Sequence, residues 1–280
     1  MRSSRTVVLQ TFLCLPVLLL AAVTATWAAP DPDVRSHAFY VLDPSESSVL
    51  AARHENDAMP IASITKLMTA IVVLEAAQPL DEVLTITADD VKGTRGGRSR
   101  LAQGAKLTRG DMLHLALMSS ENRTAHAVCR AYPGGLTACV EAMNEKAASL
   151  GMTATRFVEP TGLSSENVAS PADLAKLVLA SSRNPVIREY STDPDQTVAV
   201  NGHPLEFRNT NLLVKKPEWQ VSLQKTGYIS EAGRCLVMEA VIDSREVVIV
   251  LLNSWGTLTR FADAKRIRNW LESQRRLAEI

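Results

Sequence analysis

A serine hydroxyl is a weak nucleophile until a neighbouring base takes its proton, and an amine held out of water one helical turn away can act as that base. The stretch Pro60-Ile61-Ala62-Ser63-Ile64-Thr65-Lys66-Leu67-Met68-Thr69 offers such a pair. Apolar residues recur at three and four positions (Ile64, Leu67, Met68, Ile71, Val72, Leu74), which predicts a helix over residues 62–77 with Pro60 just ahead of it. Ser63 and Lys66 then share a face near the first turn. The chemistry this suggests is acyl transfer. Taken alone, the pattern reads more simply as a serine at a helix start and a solvated lysine, so residues elsewhere must decide.

Two further groups bear on it. Ser120-Glu121-Asn122 follows an apolar run (Met112, Leu113, Leu115, Ala116, Leu117), which reads as a helix capped by Thr108 with Asp111 in its first turn. Lys225-Thr226-Gly227 is expected at the end of a strand. There the lysine offers a fixed cation, the threonine a hydroxyl, and the glycine room for a substrate backbone to lie close.

The elements that must position these residues change character along the chain. His37 to Leu42 and Ser48 to Arg53 read as two strands around a turn, and Asp81 to Thr87 as a short strand. Lys92 to Gly104 is a Gly- and Arg-rich loop, either simply mobile surface or a grip on an anionic polymer. Helices are expected at about 136–150 and from Ser170-Pro171 onward, with a loop over 153–168 between them. Residues 183–215 read as polar and irregular, with Val198 to Val200 as one arm of a hairpin. Val221 to Thr226, Arg234 to Ile242 and Glu246 to Leu252 are short β-branched runs and predict an antiparallel meander. A closing helix at about 258–277 places Phe261, Ala264, Ile267, Trp270 and Leu271 on one face, to pack on the sheet or to dock on a membrane surface. The fold class expected is mixed α/β. Both chain ends build one antiparallel sheet, and the middle supplies a helical lobe.

Arg2 and Arg5 precede an apolar run from Val7 to Val23, and Thr26 and Ala28 occupy the positions a signal peptidase inspects. A secretory leader over residues 1–28 is expected, which leaves 29–280 as a single exported domain with no second, C-terminal β domain. The chain's 30 basic and 30 acidic residues become a slight acidic excess once the leader's two arginines are removed. With no basic stripe, that balance argues against nucleic acid as a partner. Cys129, Cys139 and Cys235 remain after the leader. An oxidising compartment permits one disulfide; Cys129 and Cys139 flank the turn Tyr132-Pro133-Gly134-Gly135 and are either joined or both reduced. No metal-ligand spacing is present, and neither a metal nor a cofactor is expected.

The ordered trio Ser63-x-x-Lys66, Ser120-x-Asn122 and Lys225-Thr226-Gly227 is a signature shared by class A β-lactamases and penicillin-binding proteins. The chain resembles a low-molecular-mass penicillin-binding protein of the serine D-alanyl-D-alanine peptidase family, and most closely the periplasmic D-alanyl-D-alanine endopeptidases. The likeness covers nearly all of the chain after the leader. It extends through Ala62-Ser63-Ile64-Thr65-Lys66-Leu67-Met68-Thr69-Ala70, Leu115-Ala116-Leu117-Met118-Ser119-Ser120-Glu121-Asn122-Arg123, Phe157-Val158-Glu159-Pro160-Thr161-Gly162-Leu163 and Lys225-Thr226-Gly227-Tyr228-Ile229-Ser230-Glu231-Ala232-Gly233-Arg234.

That resemblance implies a β-lactamase/transpeptidase-like fold, peptidoglycan stem peptides as substrate, β-lactams as covalent inhibitors, and a periplasmic location with at most peripheral membrane contact. It implies Ser63 as nucleophile and Lys66 as base, acting directly or through Ser120, which passes a proton to the leaving amine. Asn122 would bind the substrate amide. Lys225 and Thr226 would bind its terminal carboxylate and keep the pocket positive, and the backbone N–H groups of Ser63 and Tyr228 would form the oxyanion hole. Two features depart or distract. Glu121 stands where the signature has Asp, and a second Ser165-Glu166-Asn167 follows a loop rather than a helix and reads as a decoy. Three other activities share the motifs: a carboxypeptidase, a serine β-lactamase and a non-catalytic β-lactam sensor. For a β-lactamase the tempting deacylating residue is Glu159, whose spacing to Leu163 is one residue too long for class A.

Overall fold

Strands rich in Val and Ile make a five-stranded antiparallel sheet in a computed structural model that describes residues 31–278. Its strands are β1 (Ala38–Asp43), β2 (Ser48–Arg53), β3 (Gln220–Ile229), β4 (Gly233–Ile242) and β5 (Arg245–Ser254). The order is β2-β1-β5-β4-β3, so β5 joins the N-terminal hairpin to the C-terminal meander, with Tyr40 opposite Val250. The expected leader and its cleavage point lie outside the described residues.

The run Val247 to Leu252 lacks polar alternation because the sheet is covered on both faces. Val247, Ile249 and Leu251 point to one side and pack in a cluster with Phe261, Ala264, Ile267 and Leu271 of the last helix, α8 (Thr259–Ala278). Val248, Val250 and Leu252 point to the other and join the core of the helical lobe. The apolar face of α8 is thus taken up by the sheet. Among the described residues no helix is long and apolar enough to cross a membrane.

The lobe is built around α1 (Thr65–Glu75), whose residues from Thr65 to Val73 are all buried. Around it lie α2 (Ala88–Gly93), α3 (Arg109–Met118), α4 (Asn122–Arg130), α5 (Gly135–Ser149), α6 (Pro171–Ser182) and α7 (Pro185–Thr192). Thr108 caps α3 by accepting from the Asp111 N–H, and Ser170 caps α6 ahead of Pro171, as their sequences foretell. Cys129 of α4 and Cys139 of α5 form a disulfide, with Cα atoms 5.5 Å apart, while Cys235 is free and buried.

Four details differ from the sequence expectation. Residues 62–64 form a 3₁₀ turn, and α1 proper begins at Thr65 and ends at Glu75. Helices α2 and α7 were not foreseen, since six and eight mostly polar residues carry too little apolar periodicity. The region 183–215 is more ordered than its polarity suggests: α7 leads to a hairpin of Asp195–Val200 and His203–Arg208 around Asn201-Gly202. Finally, Lys225-Thr226-Gly227 does not end its strand. Strand β3 runs on to Ile229, because Tyr228 and Ile229 keep pairing with Arg234 and Gly233.

Candidate active site

The 3₁₀ turn Ala62–Ile64 lies between β3 and the loop 157–167, and two glycines make that approach possible. A Cβ on Gly227 would sit 2.9 Å from the Ile61 carbonyl oxygen and 3.2 Å from the Ser63 nitrogen. The glycine therefore makes room for the chain's own turn, where the sequence suggested room for a substrate. A Cβ on Gly162, whose φ is +80°, would fall 1.9 Å from the Ala62 carbonyl oxygen. Gly162→Ala should destabilise the fold by roughly 2–4 kcal/mol through overpacking and left-handed backbone strain, read as a lower denaturant midpoint.

Ser63 Oγ lies 2.7 Å from Lys66 Nζ, and the same amine lies 2.7 Å from Asn122 Oδ1 and 2.7 Å from the Thr161 carbonyl oxygen. A carbonyl oxygen only accepts. In its neutral form the amine therefore gives one N–H to each of the two carbonyls and turns its lone pair to the Ser63 hydroxyl. Lys66 is fully buried, and burial pushes its pKa down to about 7 against the pull of the Glu159 and Glu121 carboxylates. A neutral base at physiological pH follows from the fold.

The serine of the second motif sits at a sharp corner. α3 ends at Met118, Ser120 adopts φ 62°, and the Glu121 side chain caps α4 by accepting from the Arg123 N–H. Left-handed backbone at a serine costs on the order of 1 kcal/mol, as does the φ of 47° at Ala62 beside the nucleophile. Lys225, from the middle of β3, is fully buried and places Nζ 2.9 Å from Ser120 Oγ and 2.9 Å from the Thr226 carbonyl. Burial, followed by the charges of Lys66 and Arg260, drives its pKa well below the usual lysine range. The amine thus serves Ser120 from beneath the cleft, while Arg95, Arg98, Arg234 and Arg260 line the cleft itself. Thr226 Oγ1 is paired with Thr210 Oγ1 at 2.6 Å.

Above these groups opens a cleft of about 670 Å³, bounded by Ser63 and Ser120 on its floor, Thr226 to Ile229 of β3 on one wall and Arg95 to Arg98 on the other. The Gly- and Arg-rich loop is thus a wall of the site. It is held there by Asp90 of α2, whose carboxylate meets His126 Nδ1 at 2.7 Å and Arg130 Nε at 3.0 Å, both from α4. Since α4 begins at Asn122, these contacts tie the loop to the residue that holds Lys66.

Sequence reasoning missed Arg260, which also lines the cleft. It is 7% exposed, stacks on Phe261 at 4.7 Å, and leaves Nε and Nη1 buried without a hydrogen-bond partner. Burial and then the charge of Arg234 lower its pKa to about 10, so it stays charged at neutral pH. The available signal was faint: one arginine in the first turn of an otherwise amphipathic helix. Tyr228 is exposed on the strand edge with Arg234 over its ring.

Glu159 and the decoy motif have structural roles. The Glu159 carboxylate accepts from the N–H groups of Thr161 and Gly162 and from Thr161 Oγ1, at 2.6 to 2.7 Å. Asn167, fully buried, donates to Glu159 and to Thr65 Oγ1 and accepts from the Val158 N–H. Together they shape the loop that presents the Thr161 carbonyl to Lys66. Among the described residues, no group of three or more His, Cys, Asp or Glu side chains is placed to hold a metal.

A serine with a buried amine base, a second serine held by a second lysine, and a strand-lined cleft define a serine acyl-transfer enzyme of the penicillin-binding fold. Residues 24–256 match the family described as D-alanyl-D-alanine carboxypeptidase, peptidase S11, and the chain belongs to that family. It is 47% identical to a D-alanyl-D-alanine endopeptidase of Pseudomonas aeruginosa over 91% of this chain and 86% of that protein. It is 44% identical to the protein of the same name in Escherichia coli, over 91% and 83% of the two chains. The fold matches the crystal structure of the Streptomyces K15 DD-transpeptidase with a TM-score of 0.80 at 26% identity, covering 86% of this chain and 98% of that one.

Proposed function

We propose that the protein is a serine DD-endopeptidase that hydrolyses D-alanyl cross-links in peptidoglycan through an acyl-enzyme on Ser63. The observation that carries this reading is the contact of Ser63 Oγ with a fully buried Lys66 whose two other partners are carbonyls. Lys66 takes the hydroxyl proton directly as Ser63 Oγ attacks the D-alanyl carbonyl, and the N–H groups of Ser63 and Tyr228 receive the oxyanion. The C–N bond breaks as the leaving amine gains a proton by way of Ser120, which Lys225 holds in place. Water then hydrolyses the ester and Lys66 recovers its role. No cofactor takes part in these steps.

Endopeptidase action is favoured by the relatives that bear that name, the two described above among them. The carboxypeptidase reading draws on the family description and on a D-alanyl-D-alanine carboxypeptidase of Mycobacterium tuberculosis at 30% identity. Digestion of purified peptidoglycan, with and without penicillin, tests the choice. Penicillin-sensitive loss of cross-linked dimers with a matching gain of monomers is expected, and release of terminal D-alanine alone would overturn it. β-Lactams are proposed as slowly released covalent inhibitors, because Glu159 is committed to backbone N–H groups and is not free to activate a deacylating water. A periplasmic site of action is proposed on the leader expected at residues 1–28, with 29–280 as the mature catalytic domain.

Arg260 is assigned as the anchor for the carboxylate beside the scissile bond, since its unpartnered nitrogens belong to a charged group lining the cleft. Arg260→Leu should lower kcat/KM about 10- to 100-fold, chiefly through KM, and amidating that carboxylate in the substrate should abolish the difference between variant and wild type.

A further inference from the structure

The cleft at Ser63 does not end at Ser120. Past Gly97, Arg98 and Ser119, which it shares, it continues into a second groove of about 670 Å³. The charged lining of that groove is Arg98, Arg100, Arg123 and Arg208, with Glu121 as the one carboxylate. Glu121 is turned to the start of α4, where it accepts from the Arg123 N–H at 3.2 Å.

A guanidinium carries five N–H donors, and the groove leaves most of these unused. Arg98 has no hydrogen-bond or ion-pair partner among the described residues. Arg123 donates Nη1 to the Leu101 carbonyl, while its buried Nε has no partner. Arg100 donates to the Glu206 carbonyl and lies 5.1 Å from the centre of the Phe207 ring, which holds it in place without neutralising it. Arg208 pairs with the Glu206 carboxylate at 3.0 Å. The elements that supply these arginines, the loop 95–100, the start of α4 and the hairpin 195–208, are remote in sequence. Only the fold brings them together.

The position of the groove names its occupant. It opens beside Ser119, next to the serine assigned to protonate the leaving amine, so it receives whatever departs from the acyl-enzyme. A leaving D-alanine is a single residue whose one carboxylate lies beside the scissile bond. A leaving peptide strand joined through a side-chain amine extends further along the surface, and it keeps the carboxylate of its own backbone terminus. We propose that the groove of Arg98, Arg100, Arg123 and Arg208 is the subsite for the leaving strand of a cross-link, which it holds by carboxylates beyond the scissile bond. This inference rests on the endopeptidase reading, and it supplies a physical reason for preferring a cross-linked substrate over a terminal D-alanine.

The test uses a purified cross-linked dimer, with the backbone terminus of its leaving strand either free or amidated, and the variant Arg100→Gln/Arg208→Gln. These two arginines line the groove and not the cleft at Ser63. The variant should cleave the free-carboxylate dimer with kcat/KM about tenfold lower, mainly through KM, as expected for lost charge-assisted hydrogen bonds. Amidation should cost the wild type a similar factor and the variant nothing further. The wild-type comparison does not depend on how the variant folds. Penicillin acylation, which involves no leaving strand, reports separately on the Ser63 centre of the variant. Equal cleavage of free and amidated dimers by the wild type would overturn the groove assignment while leaving the endopeptidase in place. A wild type that cleaves neither dimer would overturn the endopeptidase reading, and the groove assignment with it.

Discussion

Ser63→Ala is expected to abolish covalent labelling by penicillin and to reduce peptidoglycan hydrolysis by about 10⁵-fold or more, the scale seen when an activated nucleophile is removed. The fold should survive, because Ser63 is only half-buried and its hydroxyl is paired with the Lys66 amine. Intact-protein mass spectrometry after incubation with penicillin reads the adduct, and circular dichroism reads the fold. Labelling that persisted in the alanine variant would place the nucleophile elsewhere and undo the acyl-enzyme assignment.

The second large effect concerns the base. Lys66→Met should slow acylation by about 10⁴-fold or more, since the hydroxyl of Ser63 would then face a thioether in place of an amine. Its influence on stability should run the other way. Burial holds the folded pKa of Lys66 near 7, below the ordinary lysine value of 10.5, so the unfolded chain binds the proton more readily. The resulting cost to folding is fully present below about pH 7 and is lost as the pH rises towards 10.5. The methionine variant should therefore unfold at a higher denaturant concentration than the wild type at neutral pH, and the gap should narrow as the pH rises from about 7 towards 10.5. In the wild type the acylation rate should climb as the pH passes through about 7, where Lys66 gives up its proton. A flat profile across that range would remove Lys66 from the role of base.

Much of the architecture is legible where local pattern and burial agree. Val247 to Leu252 is continuously apolar and lies at the centre of the sheet, and the period of three and four from Ile64 to Leu74 yields a helix buried from Thr65 to Val73. The caps at Thr108 and Ser170 are visible for the same reason, because a side chain three residues from its backbone partner needs no tertiary help. Legibility fails where an element is too short or too polar to show a period. α2 is six residues with one buried side chain, Asp90, and it exists because that carboxylate meets His126 and Arg130 from another helix. The Ser165-Glu166-Asn167 run shows the converse. Its residues match a motif, yet Asn167 is fully buried as a loop staple.

What the sequence determined by itself was the identity of the reacting groups, since Ser63 and Lys66 are one turn apart and Ser120 and Asn122 bracket a single corner, distances that backbone geometry sets locally. Tertiary structure decided what those groups do with their protons and charges. Lys66 is a neutral base because the fold buries it and gives its N–H groups two carbonyls, one of them from a residue 95 positions away. Lys225 holds Ser120 across 105 positions, and Arg260 enters the cleft with two buried nitrogens that have no hydrogen-bond partner. Burial and long-range distance fix a pKa and a hydrogen-bond partner, and both come into being only when remote segments pack.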